Sequence, residues 1–352
     1  MQKLKPFTDI LFKGGDLESD QAATLAELLI DAKISEESKR DCLLALAAKG
    51  ETATEVAAFA STFRTHAVDP NVGEWAGRAI DVCGTGGDGS GTFNISTAVS
   101  FIVAAAGVPV FKHGNRSVTS KCGSADLIEA IGIKIDATNK TIHDSLHELN
   151  FCFFYAPSYH PAFKEIMPVR RALAEAGQRT IFNLLGPLIN PGRPTYQLLG
   201  VFSKKWVQPL ADVLSKLGLS AGLVAHGQSG LGNALDELSC AGGNYVAGVG
   251  SLAAVSKTLN VADVGLPKCA LSDLNGGDVT ANLATMHALL NGDKNAVPIG
   301  LRNSVLLNAG TALWISGAVS EIIDGVALAN EILQNRTVEK WLQRARLFYE
   351  KG

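Results

Sequence analysis

Apolar residues recur three and four apart through QAATLAELLIDAK and again through KRDCLLALAAK. That spacing puts them on one face of a helix. Up to about residue 66 no segment reads as a strand, so the chain is expected to open with helices only. Ser35 is placed to start the second helix, and Thr52 with Glu55 three residues on forms a capping box for a third. Asp69-Pro70-Asn71 marks a boundary. After it short apolar strands alternate with helices: AIDVC, a helix from about Thr97, PVF, a helix from Ser124 to Ala130, IKID, then FCFFY, YQLLGVF and GLVAH. This alternation predicts an α/β fold, a mostly parallel sheet flanked by helices, beside a smaller all-helical domain. A helical stretch over 163–185 interrupts it and is expected to return to the first helices. The domains are therefore drawn as 1–68 with 163–185, and 71–162 with 186–352. The chain ends in a charged helix, ANEILQNRTVEKWLQRARLFYEK.

The polar breaks in this pattern carry the chemistry. AIDVC is followed by GTGGDGSGTFNIST over 84–97, with five glycines in its first eight residues. Glycines let backbone N–H groups come close to an anion, and the helix that follows adds its positive end. The first six residues match G-x-G-x-x-G, but a dinucleotide site needs its helix to begin within the motif and an acidic residue after the next strand. Here the loop runs on for eight more residues, and the next strand ends in Lys112-His113, which is basic. A Walker loop is excluded, because Ser90-Gly91 stands where Lys-Ser/Thr is required. Asn94, Ser96 and Thr97 fall at the start of the helix, where Ser96 or Thr97 is expected to be its N-cap.

The next loop gathers Lys112, His113, Asn115, Arg116 and Lys121 within ten residues before Ser124 opens a helix. Adjacent βα loops lie at the same edge of a parallel sheet, so the two face one cavity suited to a substrate with several phosphates. After GLVAH comes LDELS, whose Asp236 and Glu237 are either solvated charges or outer anchors for Mg²⁺ beside that cavity. His160 in SYHPAF either lines the cavity or holds a turn. His143 and His147 lie one helical turn apart in HDSLH; without a third ligand in the sequence nearby, an exposed helix face is the preferred reading over a zinc site.

Composition narrows the partners. Of the 352 residues 47% are hydrophobic and 18% charged, enough for a large core. The net charge is -3 with no basic run, which argues against nucleic acid and acidic membrane surfaces. The six cysteines are scattered without C-x-x-C, as in a reduced cytoplasmic protein. The longest apolar-rich run, Ala98 to Val110, is too short to span a bilayer.

GTGGDGSGTFNIST, KHGNRSVTSKCGSAD, FYAPSYHPAF, VRR, RTIFNLLGPLINP, YQLLGVF, LDELS and SVLLNAGTAL occur in this order. Together they closely resemble the anthranilate phosphoribosyltransferases, over nearly the whole chain. The resemblance implies an active site in a cleft between the domains, a homodimer formed through the helical part, and a cytoplasmic enzyme of tryptophan synthesis. It implies transfer of the ribosyl C1 of 5-phosphoribosyl 1-diphosphate to the anthranilate amine, with Mg²⁺. Gly84, Gly87, Asp88, Thr92, Asn94, Ile95, Ser96, Thr97, Lys112, His113, Gly114, Asn115, Arg116 and Ser124 fall at positions for the phosphoribosyl diphosphate. Ser96, Asp236 and Glu237 fall at magnesium positions, and Gly84, Asn115, His160 and Arg170 at anthranilate positions. No residue is assigned as acid or base, since an aryl amine is already neutral and positioning and electrostatics can carry the reaction. The segments RALAEAGQ after Arg170 and HGQSGLGNALDELS before the acidic pair are longer than the family's usual pattern. The rivals are a pyrimidine nucleoside phosphorylase, disfavoured by Asn115 in KHGNR, and a nucleic-acid-binding relative, disfavoured by the charge.

Overall fold

The computed structural model describes residues 3–117, 121–230 and 232–351. Four helices open the chain: Lys5–Phe12, Ser19–Leu29, Glu36–Lys49 and Ala53–Thr65. Ser35 caps the third by accepting from the Ser38 N–H. At the fourth, Thr52 and Glu55 form the capping box. Fully buried Glu55 also accepts from the Leu17 N–H and pairs with Lys49, so a local start signal ties three segments together.

The sheet contains β1 (Ile80–Gly84), β2 (Val110–Gly114), β3 (Phe151–Tyr155), β4 (Tyr196–Gly200), β5 (Ala221–Gln228), β6 (Ala234–Leu235), β7 (Asn244–Gly250) and β8 (Ser256–Leu259). Their order is β3-β2-β1-β4-β5-β7-β8, with β6 beside β5. The first five strands are parallel, and β6, β7 and β8 are antiparallel additions. The chain lays down β1, β2 and β3 in one direction, then returns to place β4 on the other side of β1. The ends of β1 and β4 thus flank the point where strand order reverses, the usual ligand crevice of such sheets.

Of the three apolar clusters among the described residues, a smaller one around Trp75, Phe111 and Phe154 packs on β2 and β3, and the two larger cover the two faces. On one, Ile95–Ala105 and Ile299–Ile315 pack against β1 and β5 residues such as Val82 and Leu223. On the other, Val56, Phe59 and Phe63 of the N-terminal helices join Val169, Leu173 and Phe182 of the 163–185 stretch, over Leu199 and Val224. That stretch consists of a 3₁₀ turn at Pro161–Glu165 and helices at Met167–Glu175 and Phe182–Leu185.

The structure corrects three sequence expectations. IKID is not a strand: Ile133 and Ile135 are buried in the core, but they lie in the connection between Ser124–Ile131 and Asn139–Leu149. Their alternation records burial rather than pairing. The final helix is two, Ile322–Gln334 and Thr337–Lys351, broken where Arg336 takes a left-handed φ of 54°. The helix after the glycine loop begins at Ile95, earlier than Thr97.

Gly84 and Gly200 end β1 and β4, and both touch Asp236. A Cβ on Gly200 would sit 1.6 Å from the Asp236 carbonyl oxygen. Gly200→Ala should therefore cost about 1–3 kcal/mol or more through overpacking, seen as a lowered Tm. Gly77→Ala, where no atom lies within 4 Å of the added Cβ, serves as the control and should leave the Tm unchanged or slightly raised.

Candidate active site

The glycine loop leaves β1 and crosses the crevice between β1 and β4. Gly86, Gly87, Gly89 and Gly91 all have left-handed φ between 65° and 76°. Residues with a Cβ avoid that region, so the loop's path requires glycine at these positions. Its far limb is laced to 274–276: the Phe93 N–H donates to the Leu274 carbonyl at 2.8 Å, and the Gly276 N–H to the Gly91 carbonyl at 2.9 Å. Asn94 is the N-cap residue by position, but its side chain caps nothing. Instead its amide bonds the Cys122 carbonyl, and its oxygen accepts from Asn282 at 2.9 Å.

The expectation that Ser96 or Thr97 is the N-cap is not met. Both lie inside the first helical turn, and Thr97 is buried with a hydroxyl that has no partner. Glu237, from far along the chain, supplies the cap: its Oε1 accepts from the Ser96 N–H at 3.2 Å. A carboxylate at a helix N-terminus is electrostatically favoured. Ile95 is buried in the core, so only its backbone faces the loop.

Asp236 lies across the ends of β1 and β4. Its Oδ2 accepts from the Gly86 N–H at 2.6 Å, and its own N–H donates to Asp88 Oδ2 at 3.3 Å. Asp88 also accepts from the Ser90 hydroxyl, which lies 3.2 Å from the Thr92 hydroxyl. Burial and then repulsion from Asp88 push the Asp236 carboxyl well above its ordinary range. Burial does the same to Glu237, lifting it to about 7, while Lys112 opposes the rise. Lys112 itself is buried, with Nζ donating to the Val82 carbonyl at 2.6 Å and to Ser96 Oγ at 3.1 Å.

The second loop divides its residues. Gly114 lies so close to Ser124 that a Cβ would come within 2.2 Å of its hydroxyl oxygen. Asn115 is exposed, and its carbonyl faces Ser124 Oγ. Arg116 is also exposed and pairs with Asp126 and Glu129 on the following helix, at 3.1 Å and 2.8 Å. Its charge is spent on its own loop. Residues 118–120 of this motif, and 231 of the segment before the acidic pair, lie outside the described residues.

A third group sits beside the loops. His113 and His160 are buried with ring centroids 5.3 Å apart, and neither Nε2 has a partner among the described residues. Burial drives both towards the neutral form, His113 to about 3 and His160 to about 4. Phe163 stacks on His160, and Arg170 lies over Phe163 and Phe182, its guanidinium 4.7 Å from the Phe182 ring centre. Burial lowers Arg170 to about 10, and it forms no ion pair among the described residues.

Sequence reading missed the supporting residues. Arg179 donates to the Gly87 carbonyl and lies 4.2 Å from the Phe202 ring centre, tying the 163–185 stretch to the loop. Asp81, a buried residue of β1 held by Asn190 at 2.9 Å, feels the charge of Lys112 and is raised to about 6 by burial. Asn308 brackets the backbone of Leu238 from both sides, and Ser304 accepts from the Cys240 N–H. Arg179, Asn190, Ser304 and Asn308 all occur in the motifs quoted above, but nothing in the spacing gives their partners. A cavity of about 600 Å³ opens between the helices and the loop, lined by Glu51, Asp88, Arg179, Asn183, Lys205 and Trp206. A smaller one of about 310 Å³, near Arg64, Arg193 and Lys216, touches neither loop.

Comparison with known proteins gives this geometry a family. Residues 76–337 match the glycosyl transferase family a/b domain, and residues 5–67 match the helical bundle domain of the same family. An anthranilate phosphoribosyltransferase of Afipia carboxidovorans is 40% identical over 335 residues, 95% of each chain. The chain belongs to the anthranilate phosphoribosyltransferase family. The crystal structure of the Thermus thermophilus member superposes with a TM-score of 0.85 at 36% identity, covering 98% of this chain and 99% of that one. The Saccharomyces cerevisiae enzyme, solved in complex with PRPP and Mg, shares the fold at a TM-score of 0.83 and 24% identity, over 99% and 98% of the chains. No helix among the described residues is long and apolar enough to cross a membrane.

The buried histidines set a pH dependence. As pH falls below 6.5 the unfolded chain protonates both rings, whereas the folded chain keeps them neutral down to about 4 and 3. Their contribution is fully favourable above 6.5 and is lost as pH falls from there towards 4. Asp81, Asp236 and Glu237, with raised values, act with the opposite sign. The difference is therefore the readout: His160→Gln should make the Tm fall less between about pH 7 and pH 5 than it does in the parent. Parallel Tm curves would remove His160 from this balance.

Proposed function

We propose that this chain transfers the phosphoribosyl group of 5-phosphoribosyl 1-diphosphate to the amine of anthranilate, giving N-(5-phosphoribosyl)anthranilate and diphosphate in tryptophan biosynthesis. The observation that carries the reading is Arg170. It is a half-buried guanidinium that pairs with no carboxylate among the described residues and lies over the rings of Phe163 and Phe182. Such a group suits a bidentate grip on the carboxylate of a flat aromatic acid. His113 and His160, neutral and with free Nε2 atoms, line the same side and offer lone pairs or N–H groups without adding charge.

The diphosphate belongs at the glycine loop and the first turn of Ile95–Ala105, with Gly84, Gly87, Asp88, Thr92, Asn94 to Thr97, Lys112, Gly114 and Ser124 around it. Backbone N–H groups there face the charge that grows on the leaving oxygen as the C1–O bond breaks. The anthranilate nitrogen attacks C1 and later loses its proton, which needs no strong base because the amine is neutral beforehand. Asn115 borders both substrates. Arg116 contributes less than its charge implies, because Asp126 and Glu129 neutralise it.

Asp236 and Glu237, with Asp88 and the Ser96 hydroxyl, form an oxygen donor set that suits Mg²⁺. Burial raises both carboxyls, and repulsion from Asp88 adds to the rise. The three carboxylates do not converge tightly enough to share one ion directly. This fits a cation that keeps its waters and uses one or two carboxylates with substrate phosphates. Bound there, Mg²⁺ neutralises the diphosphate and the leaving charge.

The lobes of this enzyme are 1–68 with 163–185, and 71–162 with 186–352, with the cavity between them. We further place it in the cytoplasm as a homodimer formed through the helical lobe.

The test is turnover of anthranilate with phosphoribosyl diphosphate, followed by fluorescence. Arg170→Ala should raise the KM for anthranilate at least tenfold more than that for phosphoribosyl diphosphate, about 1.4 kcal/mol of selective binding. Turnover of thymidine with phosphate, and none of anthranilate, would overturn the assignment. Asp236→Asn with Glu237→Gln should raise the Mg²⁺ concentration needed for half-maximal rate and lower kcat; an unchanged Mg²⁺ titration would take the pair out of the site.

A further inference from the structure

The histidines of HDSLH have a third partner that sequence proximity could not reveal. Glu74, almost seventy residues earlier, lies against them. One oxygen of Glu74 and one nitrogen each of His143 and His147 all lie within 4.8 Å of one another. The His143 Nε2 to Glu74 Oε1 distance is 2.8 Å, a direct polar contact. Two ligands on one tetrahedral Zn²⁺ stand about 3.4 Å apart, so side-chain rotations alone would bring this set into place.

The rings are not loose. Trp75 is buried beneath them and meets both edge-on, His143 at 4.5 Å and His147 at 4.8 Å between ring centres. The two imidazoles are 5.2 Å apart and tilted by 61°, so they converge rather than stack. Glu74 sits on the turn of helix Gly73–Ala76 that leads into β1, and the histidines on Asn139–Leu149, which leads into β3. The group therefore lies at the strand-entry edge of the sheet, opposite the glycine loop.

We propose that Glu74, His143 and His147 form a second cation site, for a transition-metal ion such as Zn²⁺ or Co²⁺, which fastens the connections entering β1 and β3. The cation would sit between the Glu74 carboxylate and the two imidazoles. Two imidazoles and one carboxylate fill three positions, and water fills the exposed fourth. Imidazole nitrogens select such ions over Mg²⁺, so this site does not compete for the ion needed at the opposite edge.

The test is a Co²⁺ titration of the full chain, read by visible absorption. A tetrahedral Co²⁺ band should grow to one equivalent, disappear on adding Zn²⁺, and be lost in His143→Ala with His147→Ala. Glu74→Gln should weaken Co²⁺ binding by about tenfold or more. Zn²⁺ should raise the Tm of the parent and not that of the double variant, and all variants should keep turnover. His147→Gln, at an exposed position, repeats the measurement should the double variant misfold. No band, an equal band in the variants, or a near-ultraviolet thiolate band placing Co²⁺ on a cysteine would each overturn the proposal.

Discussion

The site depends on the close passage of a pair of carboxylates over the ends of two strands. Asp236 crosses β1 and β4 where both end in glycine, and no side chain would fit between. From this position it holds the Gly86 amide, while its neighbour Glu237 holds the first turn of the helix beyond the loop. Asn308 and Ser304 fix the next backbone segment from the buried helix Ile299–Ile315. The glycine loop is thus suspended between a sheet, a helix and an acidic segment drawn from three distant parts of the sequence.

Charge explains why this arrangement is balanced. Asp81 and Glu237 share the buried ammonium of Lys112, while Asp236 lies against Asp88. Buried charges persist only when they are paired or neutralised. Burial is what raises Asp81, Asp236 and Glu237; Lys112 opposes the rise at Asp81 and Glu237, and repulsion from Asp88 adds to it at Asp236. Around His113 and His160 the balance differs: burial keeps both rings towards the neutral form, and the nearby Arg170 forms no ion pair among the described residues.

Much of this was legible in the sequence. The parallel strands, the capping box at Thr52 and the helical return of 163–185 follow from periodicity and end signals. The glycine loop and the basic segment after β2 were visible because loops that bind anions have a restricted composition. Other features could not be read, because they are three-dimensional pairings. Glu237 as the cap of Ser96, Arg179 on the Gly87 carbonyl and Glu74 beside HDSLH each join residues far apart in the chain. IKID misled because burial at alternate positions looks the same in a connection as in a strand. The ion pairs of Arg116 with Asp126 and Glu129 could not be read either, because these partners are ordinary helix-surface residues when read along the chain.

The cap formed by Glu237 has a consequence for selectivity. An anion that takes the Ser96 amide must displace this carboxylate, pushing negative charge towards Asp88 and Asp236. That displacement becomes easier once a cation has joined the carboxylates, and the cation is held better once the amide has a new partner. Such coupling is reciprocal, with each ligand strengthening the other by the same factor. A bare polyanion is a poor visitor to this edge, and the same anion arriving already chelated is a good one.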